Sequence, residues 1–181
     1  MSSPLTVKRN NYIKNPKRSD IGTPKEVADF IADLFPNVKN VFDPCVGGGN
    51  LLKPFENRAK VRGIDMKQGV DFLKMTEPIT EELVVCNPPF NLGVGRRLGS
   101  ETFLEHIVKL GGKRIVLFVP MGFRLNQRKT SKRWKWLRDK MPEITSIISL
   151  PLDIFENVAF HNEILIFGVP ELRPHYFLSL S

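Results

Sequence analysis

The sequence is defined first by what it has little of. It carries only two cysteines, Cys45 and Cys86, too few for a disulfide framework, so a reducing, cytoplasmic setting is expected. It has no apolar run near the roughly 20 residues that a membrane span needs. Met1 to Ser19 is polar and basic with no hydrophobic segment, which argues against a secretory signal and against a membrane role. No set of cysteines, histidines and acids stands at metal-ligand spacing, so no metal is expected. There is no internal repeat and no low-complexity segment. With 41% hydrophobic residues in 181, the chain suits one compact domain with a real core, expected over 20–181 behind a flexible basic arm at 1–19.

Acidic residues are scarce in two stretches. Residues 1–18 contain Lys8, Arg9, Lys14, Lys17 and Arg18 and no acid. Residues 124–140 contain Arg124, Arg128, Lys129, Lys132, Arg133, Lys135, Arg138 and Lys140 against Asp139 alone. The remainder is net acidic, although the whole chain is +8. Positive charge concentrated on an otherwise acidic body is the footprint of a polyanion-binding surface, and nucleic acid is the expected partner.

What is present reads as alternating strands and helices. Thr23-Pro24 opens a helix, with Thr23 expected as N-cap and Pro24 at the first helical position. Val27, Phe30, Ile31 and Leu34 form its apolar stripe over Lys25–Phe35. Strands are expected at Asn40–Pro44, Lys60–Asp65, Leu83–Asn87, Arg114–Pro120, Thr145–Leu150 and Glu163–Val169, with a short one near Val70–Leu73. Helices are expected at Asn50–Asn57, Glu101–Leu110 and Ser131–Lys140. This alternation implies an α/β fold with a mostly parallel sheet. Only about ten residues separate the last two strands, too few for a helical crossover, so those two should pair antiparallel.

Two strand ends carry the chemistry. The first runs into Asp43-Pro-Cys-Val-Gly-Gly-Gly-Asn-Leu-Leu52, a glycine-rich turn that lets a ligand approach the backbone. A second strand ends at Asp65, at the offset where an acid binds ribose hydroxyls in α/β folds. The dinucleotide pattern G-x-G-x-x-G fails, because Leu52 occupies the third position after Gly47 and Gly49. Asp43 would also repel a pyrophosphate. A cationic nucleoside fits better, and S-adenosylmethionine carries both a sulfonium and an ammonium.

The other strand end is Asn87-Pro88-Pro89-Phe90, directly after Leu83-Val-Val-Cys86. Two prolines stiffen the backbone and leave its carbonyls free. The amino nitrogen of adenine is a weak nucleophile, because its lone pair is delocalised into the ring. Two acceptors that take its two N–H bonds pull the nitrogen toward tetrahedral geometry and turn the lone pair to a methyl donor. The Asn87 side chain and the Pro88 carbonyl suit that task. Phe90 can stack on a base that has left the helix, and positioning would supply much of the rate.

With these motifs in place, residues 20–169 resemble the amino-group DNA methyltransferases. The likeness is to their N6-adenine branch with cofactor motifs ahead of the catalytic one, the gamma order found in the modification subunits of type I restriction systems. Ile21-Gly-Thr-Pro24, Asp43–Leu52, Gly63-Ile-Asp65, Asp71-Phe72, Asn87–Phe90, Arg114–Pro120, Leu150–Phe155 and Val158–Phe167 carry the resemblance. It implies a single Rossmann-like class I methyltransferase domain with a seven-stranded sheet and its last strand antiparallel. The cofactor implied is S-adenosylmethionine, held by Thr23, Pro24, Asp43, Pro44, Cys45, Gly47, Gly49, Asp65, Met66, Asp71, Phe72 and Asn87. Asn87, Pro88, Pro89 and Phe90 would be catalytic, and Phe160 or His161 would line the base pocket. Such proteins carry a target-recognition domain after the last core motif. The sequence shows none before Ser181, so either a separate recognition subunit or a homodimer reads double-stranded DNA, or specificity is low, or the basic arm and loops do the reading.

Arg96 and Arg97 sit in a glycine-rich loop, and with Arg124, Arg128, Lys129, Lys132 and Arg133 they are the expected nucleic-acid contacts. Of Trp134 and Trp136, one should anchor its helix to the core. Cys45 and Cys86 should be small buried residues at neighbouring strand ends. The alternatives are methylation of an RNA base or a protein glutamine, which share an Asn-Pro-Pro-aromatic turn, and a non-catalytic DNA-binding subunit of the same fold. The early Thr23-Pro24 helix and the late Phe155–Phe167 segment favour DNA.

Overall fold

Short apolar runs of four to six residues separated by helices and turns build a three-layer α/β structure, described by a computed structural model over residues 22–89, 97–125, 127–155 and 162–178. The elements in order are α1 (Lys25–Asp33), β1 (Asn40–Asp43), β2 (Lys60–Gly63), β3 (Leu83–Cys86), α2 (Gly99–Lys109), β4 (Ile115–Pro120), α3 (Lys132–Asp139), β5 (Ile144–Ser149), β6 (Asn162–Phe167) and β7 (His175–Phe177). Single 3-10 turns stand at Lys53–Phe55, Met66–Gln68 and Phe72–Lys74. The basic arm, Phe90, Arg96, Phe160 and His161 lie outside the described residues.

The strands form one seven-stranded sheet in the order β2-β1-β3-β4-β6-β5-β7. β6 runs antiparallel to both β4 and β5, and every other pairing is parallel. The antiparallel pairing of β5 with β6 agrees with their short connection. The chain then continues to β7, which pairs parallel to β5, so the antiparallel strand is the sixth and not the last.

Strand alternation divides the core in two. Val41, Leu83, Val85, Val116, Phe118, Ile164 and Ile166 face α1, against Val27, Ala28, Ile31 and Phe35. Phe42, Val84, Cys86, Leu117, Leu165 and Phe167 face α2, against Phe103, Leu104 and Ile107, with Trp136 and Leu137 of α3 packed on the same cluster. Trp136 is therefore the anchoring tryptophan, and Trp134 remains 39% exposed.

Three local expectations are corrected. The expected strand near Val70–Leu73 is a 3-10 turn: Asp71 accepts the Leu73 amide at 3.1 Å as its cap, which starts a turn where a strand would continue. The helix over Asn50–Asn57 shrinks to turns and Lys53–Phe55, because Pro54 has no amide to donate. The N-cap of α1 is Pro24, and no side chain caps it.

Candidate functional site

β1 lies inside the sheet with β2 on one side and β3 on the other, so successive connections leave β1 in opposite directions. The crevice at the carboxyl ends of the strands on either side of such a reversal is where open α/β sheets bind ligands. The ends that meet there belong to β1, β2 and β3, and they bring Asp43, Asp65 and Asn87 to one edge from distant parts of the chain.

Asp43 is the last residue of β1 and is buried. Its Oδ1 accepts the Cys45 amide at 2.9 Å, which folds the chain out of the strand. Burial pushes its carboxyl up to about 7. Hydrogen bonds from Cys45 oppose the rise, and the nearby charge of Asp65 adds to it. A buried acid so poised is ready to lose its proton when a cation arrives beside it.

The turn that follows is closed by Asp65. Its Oδ2 accepts the Gly47 amide at 3.0 Å and its Oδ1 accepts the Lys67 amide at 2.8 Å, so one carboxylate ties the glycine turn to the end of β2. Gly47 has φ +50°, a conformation that costs a side-chain-bearing residue. Gly63 allows the close approach: a Cβ there would stand 2.6 Å from Val46 Cγ2. Gly49 lies in the same turn with φ +79°. Pro44 is buried beneath it, and Met66 is exposed beside Asp65.

Asn87 leaves β3 toward α1. Its Nδ2 donates to the Thr23 hydroxyl at 3.2 Å, and the Thr23 carbonyl accepts from Asn50 Nδ2 at 3.2 Å. Thr23 is thus a buried bridge between the glycine turn and the strand end. The sequence marked Thr23 as a helix cap and a cofactor contact; its bond to Asn87, across 64 residues, had no sequence signal. Because the amide nitrogen is engaged, Oδ1 is the atom left to accept, and it has no partner among the described residues. Pro88 is buried next to it and Pro89 half-buried.

Cys45 and Cys86 meet beneath these residues, with their sulfurs 3.6 Å apart. The Cys86 sulfur and then burial push the Cys45 thiol up, and burial pushes Cys86 up, so both stay protonated and unreactive. Phe72 is 2% exposed and packs against Phe42, Phe103 and His106, so its ring belongs to the core. Asp71 keeps its carboxylate near the edge, paired with Lys74 at 3.3 Å. Among the described residues no group of histidines, cysteines and acids could hold a metal, and no helix is long and apolar enough to cross a membrane.

The basic residues fall into two sets. Arg97 pairs with Glu101 and Glu105, Arg133 with Glu101 at 2.9 Å, and Arg124 grips Glu163 with two bonds of 2.6 and 2.9 Å. These guanidiniums clamp α2, α3 and the segment after β4 to β6. Arg128, Lys129 and Lys132 are exposed and have no ion pair among the described residues.

No protein-family model matches the chain, and no curated protein does. Solved structures do match. A modification subunit assigned to a type I restriction enzyme of Vibrio vulnificus superposes with a TM-score of 0.63 at 15% identity, over 92% of this chain and 48% of that one. A protein of Listeria monocytogenes assigned as a class I S-adenosylmethionine-dependent methyltransferase gives 0.62 at 17% identity, over 88% and 65%. One assigned as an RNA methyltransferase of Pyrococcus horikoshii gives 0.53 at 16%, over 85% and 90%. The chain therefore has a Rossmann-like α/β fold of the kind these methyltransferases share. It spans about half the length of the first of them and just under two thirds of the second.

Proposed function

We propose that this chain transfers a methyl group from S-adenosylmethionine to an amino nitrogen, and that the acceptor is N6 of adenine in DNA. The observation that carries this reading is the state of Asn87: its amide nitrogen is tied to Thr23 while its carbonyl oxygen has no partner among the described residues, at the edge that also holds Asp43 and Asp65. The fold shared with methyltransferases supports it.

The residues fit that cofactor. Asp43 offers a buried carboxylate to a cation, Asp65 retains lone pairs for ribose hydroxyls, and the Gly47–Gly49 backbone admits a close ligand. Pro24, Pro44, Cys45, Met66 and Asp71 are the further residues we assign to that cofactor. When bound, S-adenosylmethionine supplies an electrophilic methyl on a sulfonium; it would give up that methyl to the amine held by Asn87 and Pro88 and keep the bonding pair as a thioether, and the amine would lose one proton to water. Asn87 Oδ1 and the Pro88 carbonyl accept the two N–H bonds of the target amine and direct its lone pair outward.

Arg128, Lys129 and Lys132 are the residues we assign to phosphate contacts, since their charges are not satisfied within the described fold. The paired Arg97, Arg124 and Arg133 hold the scaffold on which that surface sits. Reading of the DNA sequence is assigned to a separate subunit, since the neighbour from Vibrio vulnificus is named a modification subunit of a type I restriction enzyme.

The test is transfer of labelled methyl from S-adenosylmethionine to duplex DNA, single-stranded DNA, RNA and protein, with the modified product identified by mass spectrometry. N6-methyladenine in DNA is the expected product. Label confined to RNA or to protein glutamine would replace the DNA assignment, and binding of DNA without any transfer would mean a non-catalytic subunit.

A further inference from the structure

We propose that Asn162 reads the ring edge of the target base and so selects adenine over cytosine. This rests on the amino-nitrogen methyltransferase reading above and adds a residue that the sequence motifs did not single out.

Both polar atoms of the Asn162 side chain, Nδ2 and Oδ1, are shielded from water and have no hydrogen-bond partner among the described residues. Buried polar groups are almost always paired, so an amide with neither end satisfied calls for a cause. It sacrifices its solvation for nothing in the free protein, and it regains it only when a ligand with a matching donor and acceptor arrives.

Its place in the fold says which ligand. Asn162 opens β6 and stands opposite Pro120, the last residue of β4. Alternation puts Asn162 on the face of Ile164 and Ile166, and Pro120 on the face of Val116 and Phe118. That is the α1 side, the side on which Asn87 meets Thr23. Asn87 and Asn162 therefore share one face of one sheet edge, with only the end of β4 between them. Two strand spacings across the sheet and two residues along it separate their backbones, about 12 Å. Once both side chains reach inward, that gap suits the breadth of a single flat base.

The chemistry completes the assignment. Asn87 and Pro88 take the amine hydrogens at one end of the base. An amide at the other end can donate through Nδ2 to the purine ring nitrogen remote from the amine, N3. Cytosine also presents an amine to Asn87, but its single ring is narrower and leaves Asn162 out of reach. Charge plays no part in the discrimination, so it should not depend on salt.

The experiment compares wild type with Asn162→Ala and with the near-isosteric Asn162→Leu, which preserves packing if alanine does not. Substrates are duplex pools made by polymerase reaction with adenine, 7-deazaadenine or 3-deazaadenine, and products are counted as methylated adenine and methylated cytosine. We expect kcat/KM on adenine to fall about 10-fold to 100-fold, the range for a missing base-edge hydrogen bond. The adenine-to-cytosine product ratio should fall with it, and the melting temperature should hold or rise. One deaza substitution should reproduce the drop for wild type and add nothing to the variants. A lower melting temperature with an unchanged product ratio would overturn the inference by giving the amide a structural role. An unchanged ratio at equal stability overturns it too, while leaving the methyltransferase reading intact. A wild type that methylates no nucleic acid overturns both.

Discussion

The two halves of the carboxyl edge of the sheet differ in how their polar groups are treated. At the ends of β1, β2 and β3 nearly every one is already bound: Asp65 holds two backbone amides, Asp43 holds one, and Asn87 is fixed by Thr23. At the end of β4 and the start of β6, the half-buried Asn162 has a shielded side-chain amide with no partner among the described residues, and the strong contact there, Arg124 with Glu163, lies on the opposite face of β6. Under the proposed function the difference separates two tasks. A cofactor of constant structure can be met by a site built in advance, with its reorganisation cost already met in folding. A base that must come and go leaves its recognition group unsatisfied between visits.

The largest effect that can break this contrast belongs to Asp43. Its folded carboxyl titrates near 7, above the ordinary 3.8 that holds when the chain is unfolded. Between those values the folded state binds the extra proton, so stability is highest below about 4 and is lost as pH rises to 7. Asp43→Asn should match wild type at low pH and exceed it at pH 8 by no more than roughly 4 kcal/mol. Saturating S-adenosylmethionine should narrow that gap. Denaturant melts at several pH values would show it; parallel curves would mean that Asp43 is not a buried acid awaiting a cation.

Next comes Asp65. Asp65→Ala removes charged acceptors worth about 1.5–3 kcal/mol each. Cofactor affinity measured by calorimetry should fall about 10-fold to 100-fold. An unchanged dissociation constant would remove Asp65 from the cofactor site and undo the idea that this half is prebuilt.

The basic residues give a smaller, sharper comparison. Arg124→Ala leaves Glu163 half-buried and unpaired and should cost about 1–3 kcal/mol of stability. Lys129→Ala and Lys132→Ala should leave stability within about 0.5 kcal/mol. Each should instead lower the slope of log affinity for DNA against log salt by about 0.9 for every phosphate the variant no longer neutralises. If all three behave alike, the division of the basic segment into clamp and phosphate-binding surface is wrong.

Much of the fold was legible because its signals are local. Each central strand is a short apolar run ending in a turn residue, and the glycine turn and Asn87-Pro88-Pro89 follow strands where binding motifs belong. The misses have physical causes. Val70-Asp-Phe-Leu73 alternates like a strand, yet Asp71 caps its own backbone and Val70 is left 42% exposed. β7 is three residues at the sheet edge, below any periodic signal. The arginines of 97, 124 and 133 showed their charge in the sequence and not their acids, which for Arg124 and Arg133 lie 39 and 32 residues away. A separation of 64 residues likewise hid Thr23 from Asn87, and distance along the chain also concealed that Asn162 shares its face.

The central claim is that Asn87 acts on the acceptor amine from a site that binds the cofactor independently. Its most direct test is Asn87→Ala, read for S-adenosylmethionine affinity by calorimetry and for methyl transfer in a single turnover. The account predicts affinity within about threefold of wild type, with transfer slowed on the order of 100-fold to 1,000-fold, as for removal of one group that stabilises a transition state. Transfer at the wild-type rate, or transfer reduced only in proportion to weaker cofactor binding, would contradict it.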